Sequence, residues 1–303
     1  MNITYENGFG SRIVGKLPYI PLLLAAVIMI APYYWMVIGA FKSLPELQAV
    51  PPTFYVAHPT LDNFFNPNWN PQVQNIQQLQ GLFQNFPTVV GSFMRFYGNS
   101  LFVATVNTIF GLIIASIAAY VLAKHRFPGR NALFILVLAS MMVPWQVTLI
   151  PSFLIVRDLG WIDTYLALII PALPKAFTLF FLRQYMLSIP DELIDAARVD
   201  GAGEVRIWGQ IMLPLIIPAM IAMGLFMFLG EWNNLVWPLI VIQSQDMRTL
   251  PVVMSTMVSA YSAPLNLGLV MAASLLVSLP TLILFLVFQK QFVRGIALTG
   301  IKG

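Results

Sequence analysis

Two residues of this chain carry charge where charge is expensive. Lys175 and Glu231 lie inside long apolar runs, and an ionised side chain at the centre of a bilayer costs roughly 2.5–3.5 kcal/mol by insertion scales. Such groups face a bundle interior or water, so Lys175 and Glu231 can pair with each other. Trp232, Asn233 and Asn234 follow Glu231 directly, and Gln146 sits in a third apolar run. Amides beside an aromatic ring suit a hydroxyl-rich molecule. Lys175 also admits an acidic or phosphorylated one, because an ammonium is a point-charge partner for phosphate. Two readings stay open. Either Lys175 or Glu231, with Asn233, Asn234, Trp232 and Gln146, lines a cavity through the bundle, or the two charges form an ion pair that only fixes helix packing.

A second constellation is a polar island between apolar segments. Asp191, Glu192, Asp195, Asp200 and Glu204 are five of the chain's twelve acidic residues. Ser188 and Asp191 have capping-box-like spacing, and Pro190 suits a first helical turn. Asp191 and Glu192 favour the positive end of a helix, with Leu193, Ala196 and Ala197 expected on one face. Gly201 and Gly203 stop this helix, since glycine accepts a left-handed cap. A second short helix then runs from Glu204 to Leu213, before Pro214. The loop at 185–213 is thus a stiff two-helix elbow, whose small alanines allow another protein to approach closely.

The elements that position these residues follow from composition. The chain is 58% hydrophobic and only 9% charged, against about 25% charged in soluble domains. It is an all-α polytopic membrane protein. A bilayer core needs about 20 apolar residues per helix, and six spans qualify, near 17–41, 99–123, 132–156, 164–183, 214–242 and 266–289, forming one transmembrane domain over 1–303. The first is too long for a signal peptide. With the N-terminus inside, the cytoplasmic segments hold Arg12, Lys16, Lys124, Arg126, Arg130, Arg183, Arg198, Arg206, Lys290, Arg294 and Lys302; the outside segments hold Lys42, Arg95, Arg157 and Arg248. The excess of inside cations puts both termini in the cytoplasm. Pro32, Pro144, Pro151, Pro171, Pro174, Pro238 and Pro280 fall inside the spans and tend to kink them. In the long outside loop, Val73, Ile76, Leu79, Leu82, Phe83 and Phe86 recur at helical spacing, which predicts an amphipathic helix.

Composition also excludes functions. There is no cysteine, and His58 and His125 are the two histidines, so thiol chemistry and a histidine metal cluster are unavailable. No metal site, bound cofactor or nucleic-acid partner is expected. No phosphate-binding loop and no nucleophile–base arrangement is present, which argues against an intramembrane enzyme. An ion-coupled secondary transporter remains the alternative, although Glu231 is its one intramembrane acid and no inverted repeat is evident.

The island carries a recognisable pattern: acid-Ala-Ala, three residues, Gly, nine residues, Ile, one residue, Leu-Pro. Here these are Asp195, Ala196, Ala197, Gly201, Ile211, Leu213 and Pro214. The pattern resembles the EAA loop of permease subunits in ATP-binding-cassette importers, with Asp in place of Glu at 195. The resemblance extends over residues 17–303, through stretches such as AAYVLAKHRFPGRNALF at 118–134 and FLRQYMLSIPDELIDAARVDGAG at 181–203. The chain is similar to the smaller permease of the carbohydrate uptake transporter-1 family, although its outside loop at 66–93 is longer than usual there. The resemblance implies a bacterial or archaeal cytoplasmic-membrane importer for a sugar or related polyhydroxylated solute. It implies a second permease subunit, an extracytoplasmic solute-binding protein, and two ATPase subunits that hold ATP and magnesium while this chain hydrolyses nothing. It further implies ATPase coupling through Glu192, Asp195, Ala196, Ala197, Asp200, Gly201, Ile211, Leu213 and Pro214, and a contact role toward the ATPases for residues 292–303.

Overall fold

The computed structural model describes residues 19–65, 89–260 and 267–300. Helices are the only regular elements among the described residues. They are α1 (Tyr19–Ala40), α2 (Leu44–Leu47), α3 (Asp62–Phe65), α4 (Val89–Lys124), α5 (Arg130–Met141), α6 (Trp145–Asp158), α7 (Tyr165–Ile169), α8 (Ala176–Leu187), α9 (Glu192–Val199), α10 (Glu204–Ile207), α11 (Leu213–Trp232), α12 (Val236–Val241), α13 (Leu250–Ala260) and α14 (Leu267–Gly300). A 3₁₀ turn (Ile170–Ala172) follows α7, and a π turn (Trp208–Met212) joins α10 to α11 without a break.

Five helical stretches are long and apolar enough to cross a membrane: Tyr19–Ala40, Met94–Lys124, Tyr165–Leu187, Glu204–Trp232 and Leu267–Gln289. The third span expected at 132–156, with Pro144 and Pro151 kinking it, is a bent pair of helices. Its residues form α5 and α6, bent by 100° at Met142–Pro144. Pro144 supplies no backbone N–H and sits in extended conformation, φ −58° and ψ 132°, which ends the ladder of α5. Pro32, Pro151 and Pro280, by contrast, lie inside helices that continue. The expected fifth span at 214–242 is also split, with α11 ending at Trp232 and α12 starting at Val236. α13 was not anticipated; eleven residues are too few to stand out as a span. The amphipathic helix expected around Val73–Phe86 lies outside the described residues.

α4 is the spine. Its 36 residues run about 54 Å at 1.5 Å per residue, and α8 and α11 pack along it. The buried positions on α4 include Ala104, Ala115, Ser116, Ala119 and Ala123, small side chains that let helices approach where lipid supplies no hydrophobic drive. Gly111 of α4 is also tightly enclosed: an added Cβ would stand 2.6 Å from Met227 Cε and 3.4 Å from the Leu173 carbonyl oxygen. α1 packs on α14 but leaves Leu22, Leu23, Ile28 and Met29 exposed.

The two ends of the bundle are tied by polar contacts. At the end where α4 begins, Arg95 pairs with Asp246 at 2.8 Å. Asn99 Nδ2 donates to the carbonyls of Asp246 and Arg248 at 2.8 and 3.0 Å. Asp163, at φ 61°, accepts from the Gln243 and Ser244 amides and the Ser244 hydroxyl at 2.9–3.0 Å. Burial works against its charge, but the Ser244 and Gln243 donors win and hold the carboxyl below its ordinary range. The opposite end carries α9 and α10, and is called the elbow end below.

Gly111→Val should lower stability by about 1–3 kcal/mol through overpacking, whereas Gly98→Ala, whose Cβ would meet nothing within 4 Å, should leave stability unchanged or slightly raised. Thermal unfolding of the purified protein in detergent reads both. Equal melting points for the two variants contradict the close α4–α11 approach.

Candidate functional site

Three helix breaks border one cavity. α5 and α6 part at Met142–Pro144, the 3₁₀ turn and α8 part around Lys175, and α11 and α12 part at Asn233–Leu235. Lys175 has φ −117° and ψ 84°, outside the helical region, so its side chain leaves the helix line and reaches across. Lys175 Nζ meets Glu231 Oε1 at 2.6 Å. Glu231 Oε2 accepts from Asn107 Nδ2 at 3.2 Å, and the same amide donates to the Leu168 carbonyl at 3.1 Å. Glu231 is nearly buried, its side chain 7% exposed against 27% for Lys175. One ion pair with one amide therefore ties α4, α7, α8 and α11 together.

A cavity of about 200 Å³ opens beside this pair. Trp145, Thr148 and Ser152 of α6 line one side; Pro171, Ala172 and Lys175 line a second; Glu231, Asn234 and Trp237 line the third. Trp237 is fixed by Nε1 donating to the Ala167 carbonyl at 2.8 Å. Indoles with hydroxyls, an amide and a neutralised ion pair form an apolar wall with a few polar handles, as small-molecule sites do. The volume is below the roughly 300–1,000 Å³ of drug-sized sites, so it has room for a small group only.

The structure brings some of the six residues together and separates others. Lys175, Glu231 and Asn234 meet at the cavity. Gln146 does not line it and is exposed on α6. Trp232 is 1% exposed; it stacks on Phe228 and donates Nε1 to the Val277 carbonyl at 3.2 Å, so it belongs to the packed core. Asn233 turns to a separate groove between α1, α11 and α14. One residue per 100° of helix turn separates them, and the break after Trp232 sends Asn234 to the opposite side. Asn107, Trp145, Thr148, Ser152 and Trp237 were missed. The amide and hydroxyls carry no charge to mark them, and tryptophan is common at membrane interfaces.

The elbow is built as expected at its corner and otherwise differently. Gly201 has φ 78°, the left-handed conformation expected of the residue that ends α9. The capping box is absent. Ser188 Oγ donates back to the Tyr185 carbonyl at 2.7 Å, and Asp191 makes no side-chain cap. Asp191 is taken instead by Lys124, whose Nζ meets Oδ1 at 2.6 Å and also donates to the Ile189 carbonyl at 2.6 Å. That hydrogen bond and charge hold the Asp191 carboxyl below its ordinary range. Nor do Leu193, Ala196 and Ala197 share a face. Ile194 and Ala197 are buried against Tyr120, Leu182, Met186 and Ile207 of the chain's own core, while Leu193, Ala196 and Val199 point outward with Asp195 and Asp200.

Glu204 is the hub of the elbow. Its Oε2 accepts from the Tyr120 hydroxyl at 2.7 Å and lies 3.1 Å from His125 Nε2. Its Oε1 accepts from Arg198 Nε at 3.0 Å, and Arg198 also reaches Asp195 at 3.3 Å. Both α9 and α10 are thus latched to the end of α4. The second elbow helix is not a separate element: Glu204–Trp232 is one continuous helix of 29 residues. Ile211, Leu213 and Pro214 of the motif lie within it. The same helix therefore carries the elbow at one end and Glu231 at the other.

Residues 107–297 match the family model described as binding-protein-dependent transport system inner membrane component. The chain is 35% identical over 282 residues to the arabinooligosaccharides transport system permease protein AraQ of Bacillus subtilis, covering 93% of each. It is 34% identical over 285 residues to the lactose transport system permease protein LacG of Rhizobium radiobacter, covering 94% of this chain and 95% of that one. Its fold superposes with TM-score 0.76 on a chain of a bacterial ABC transporter involved in the import of the acidic polysaccharide alginate. That match is 22% identical and covers 95% of this chain and 99% of the other.

Two outcomes test the site. Glu231→Gln should strand the Lys175 charge and lower stability by roughly 3 kcal/mol, while the double change Lys175→Met, Glu231→Leu should recover most of the loss. Thermal unfolding in detergent distinguishes them; a fully stable Glu231→Gln variant rules out a buried pair. At the elbow, the depressed Asp191 value means that its latch is complete above the ordinary carboxylate value of about 3.9 and is lost as pH falls through the lowered value. Protection of the elbow from proteolysis should stay constant from neutral pH down to that range, and Lys124→Met should remove it at neutral pH.

Proposed function

Because this chain belongs to the family of binding-protein-dependent transport system inner membrane components, we propose that it forms half of the translocation pathway of an ATP-driven importer for a sugar or related polyhydroxylated solute. The other half is a second permease subunit. Two ATPase subunits bind ATP and magnesium on the cytoplasmic side, and an extracytoplasmic protein delivers the solute. The elbow end lies in the cytoplasm, as the excess of Lys and Arg there supports, and both termini are cytoplasmic.

The observation that carries this reading is the unbroken helix Glu204–Trp232. Glu192, Asp195, Ala196, Asp200 and the exposed apolar Leu193 and Val199 form the docking face. Gly201 sets the corner of the elbow, and Ile211, Leu213 and Pro214 carry the displacement into α11. Closure of the ATPase dimer moves the elbow as a unit, since Glu204 and Asp191 latch it to α4. The movement reaches Glu231, about 40 Å along the helix at 1.5 Å per residue, and changes the spacing of the three broken spans around Lys175. The cavity opens alternately to either side. Its residues Lys175, Glu231 and Asn234, with Trp145, Thr148, Ser152 and Trp237, contact the solute's hydroxyls as it passes. Residues 292–303 contact the ATPases. An ion-coupled mechanism gains nothing from this geometry: Glu231, its one candidate carrier, is already committed to Lys175.

Ala196→Trp enlarges the outward face without touching the chain's own core. The assembled importer carrying it should insert normally in proteoliposomes yet lose most of its binding-protein-stimulated ATP hydrolysis and uptake. Normal uptake and normal ATPase retention by that variant overturn the docking role. Ala197→Trp is a poorer probe, since Ala197 is 8% exposed inside the chain's own packing.

A further inference from the structure

A second polar cavity lies where α4 ends and α5 begins. It measures about 280 Å³ and is lined by Arg126, Phe127, Gly129, Arg130, Asn131 and Ala132. Both charges on its wall are positive. Among the described residues neither Arg126 nor Arg130 lies in a salt bridge with a carboxylate. The acid close enough to interact with Arg126 is Asp191, and its carboxylate is taken by Lys124. Behind the cavity Arg183 is buried, stacked over Phe134 at 3.8 Å with Nε on the Leu122 carbonyl. It adds a third cation near Arg130. One acid, already paired with Lys124, leaves these three cations in excess, and excess positive charge lowers the cost of bringing in an anion.

The position of the cavity says which anion. Lys124 closes a membrane-spanning helix, and five residues later α5 starts and leads back into apolar sequence. The cavity therefore sits at headgroup depth. Directly beyond it, α5 has no buried residue, and Leu133, Ile135 and Leu136 are 49–65% exposed. A cationic cup continuous with an uncovered apolar helix face matches a molecule with an anionic head and acyl chains. We propose that Arg126 and Arg130 bind the phosphate of an anionic phospholipid, whose chains lie along the outer face of α5. A guanidinium pairs with phosphate oxygens through two parallel hydrogen bonds, and Asn131 offers a further polar contact to the headgroup. The site holds α5, the short arm of the bent pair, against the end of α4 that latches the elbow. Nothing in this assignment requires that the chain be an importer subunit.

The test uses the assembled membrane complex in nanodiscs of phosphatidylcholine with a minor share of photoactivatable phosphatidylglycerol. The wild type should label within residues 126–136 and retain phosphatidylglycerol through detergent extraction. Arg126→Gln and Arg130→Gln should each weaken retention about fivefold, from the worth of one basic residue at a membrane surface. Arg126→Lys with Arg130→Lys should keep most of the enrichment, and this pair guards against misfolding of the Gln variants. Retention unchanged in the double Gln variant overturns the site. Labelling abolished by excess inorganic phosphate, with no acyl-chain label on α5, makes it a soluble-anion site and overturns the lipid assignment. So does cross-linking of residue 131 or 132 to another subunit, which puts protein where the headgroup should be.

Discussion

A charge inside a bilayer core has no water to turn to, so Lys175 and Glu231 settle on each other at 2.6 Å. Much of the bundle's design follows from that need. Three spans break where they pass this pair, and each break frees backbone groups that lipid cannot satisfy. Beside them, where Pro171 interrupts the end of α7, Asn107 and Trp237 supply donors to the Leu168 and Ala167 carbonyls. A purely apolar bundle would hold its helices straight and would have no cavity at its centre. The pair therefore keeps the interior polar beside the irregular backbone, and the cavity lies between them.

Stiffness is distributed to match. At the elbow, acids that read in sequence as helix-terminal charges are drawn into contacts with Tyr120, Lys124, His125 and Arg198. These ties are exposed, and each one is weak by itself. Their value lies in their number and direction, since they join two short helices to the end of a 36-residue one. A short helix without such ties would fray. Buried alanines beneath it, Ala115, Ala119 and Ala197, then set the distance of closest approach.

What was legible in the sequence was whatever has a strong physical signature. Long apolar runs gave the helices, the uncompensated charges Lys175 and Glu231 gave their own pairing, and Gly201 gave the corner. What failed was whatever depends on choosing among local partners. The capping box at Ser188 and Asp191 lost to Lys124, a residue 67 positions away. Pro144 stands where its helix breaks while Pro151 lies inside a helix that continues, a difference that the residue type alone does not carry. Trp232 and Asn233 looked like cavity residues by adjacency to Glu231, but adjacent residues on a helix face different ways. Trp145 and Trp237 became visible only once the bends had folded them back onto the same space.

The π turn at Trp208–Met212 has one more consequence. Ile207, Met212 and Ile216 are all fully buried, at spacings of five and then four. A regular α-helix would rotate the first pair well away from each other; the wide turn, with its i→i+5 bonding, brings them into line. One supernumerary residue thus keys the rotational phase of the elbow to that of the helix it leads into. Substitution along this segment alters surface and fit, but adding or dropping a single residue would twist one end about 100° against the other. Length here is a mechanical tolerance, and the fixed count between Gly201 and Pro214 is its gauge.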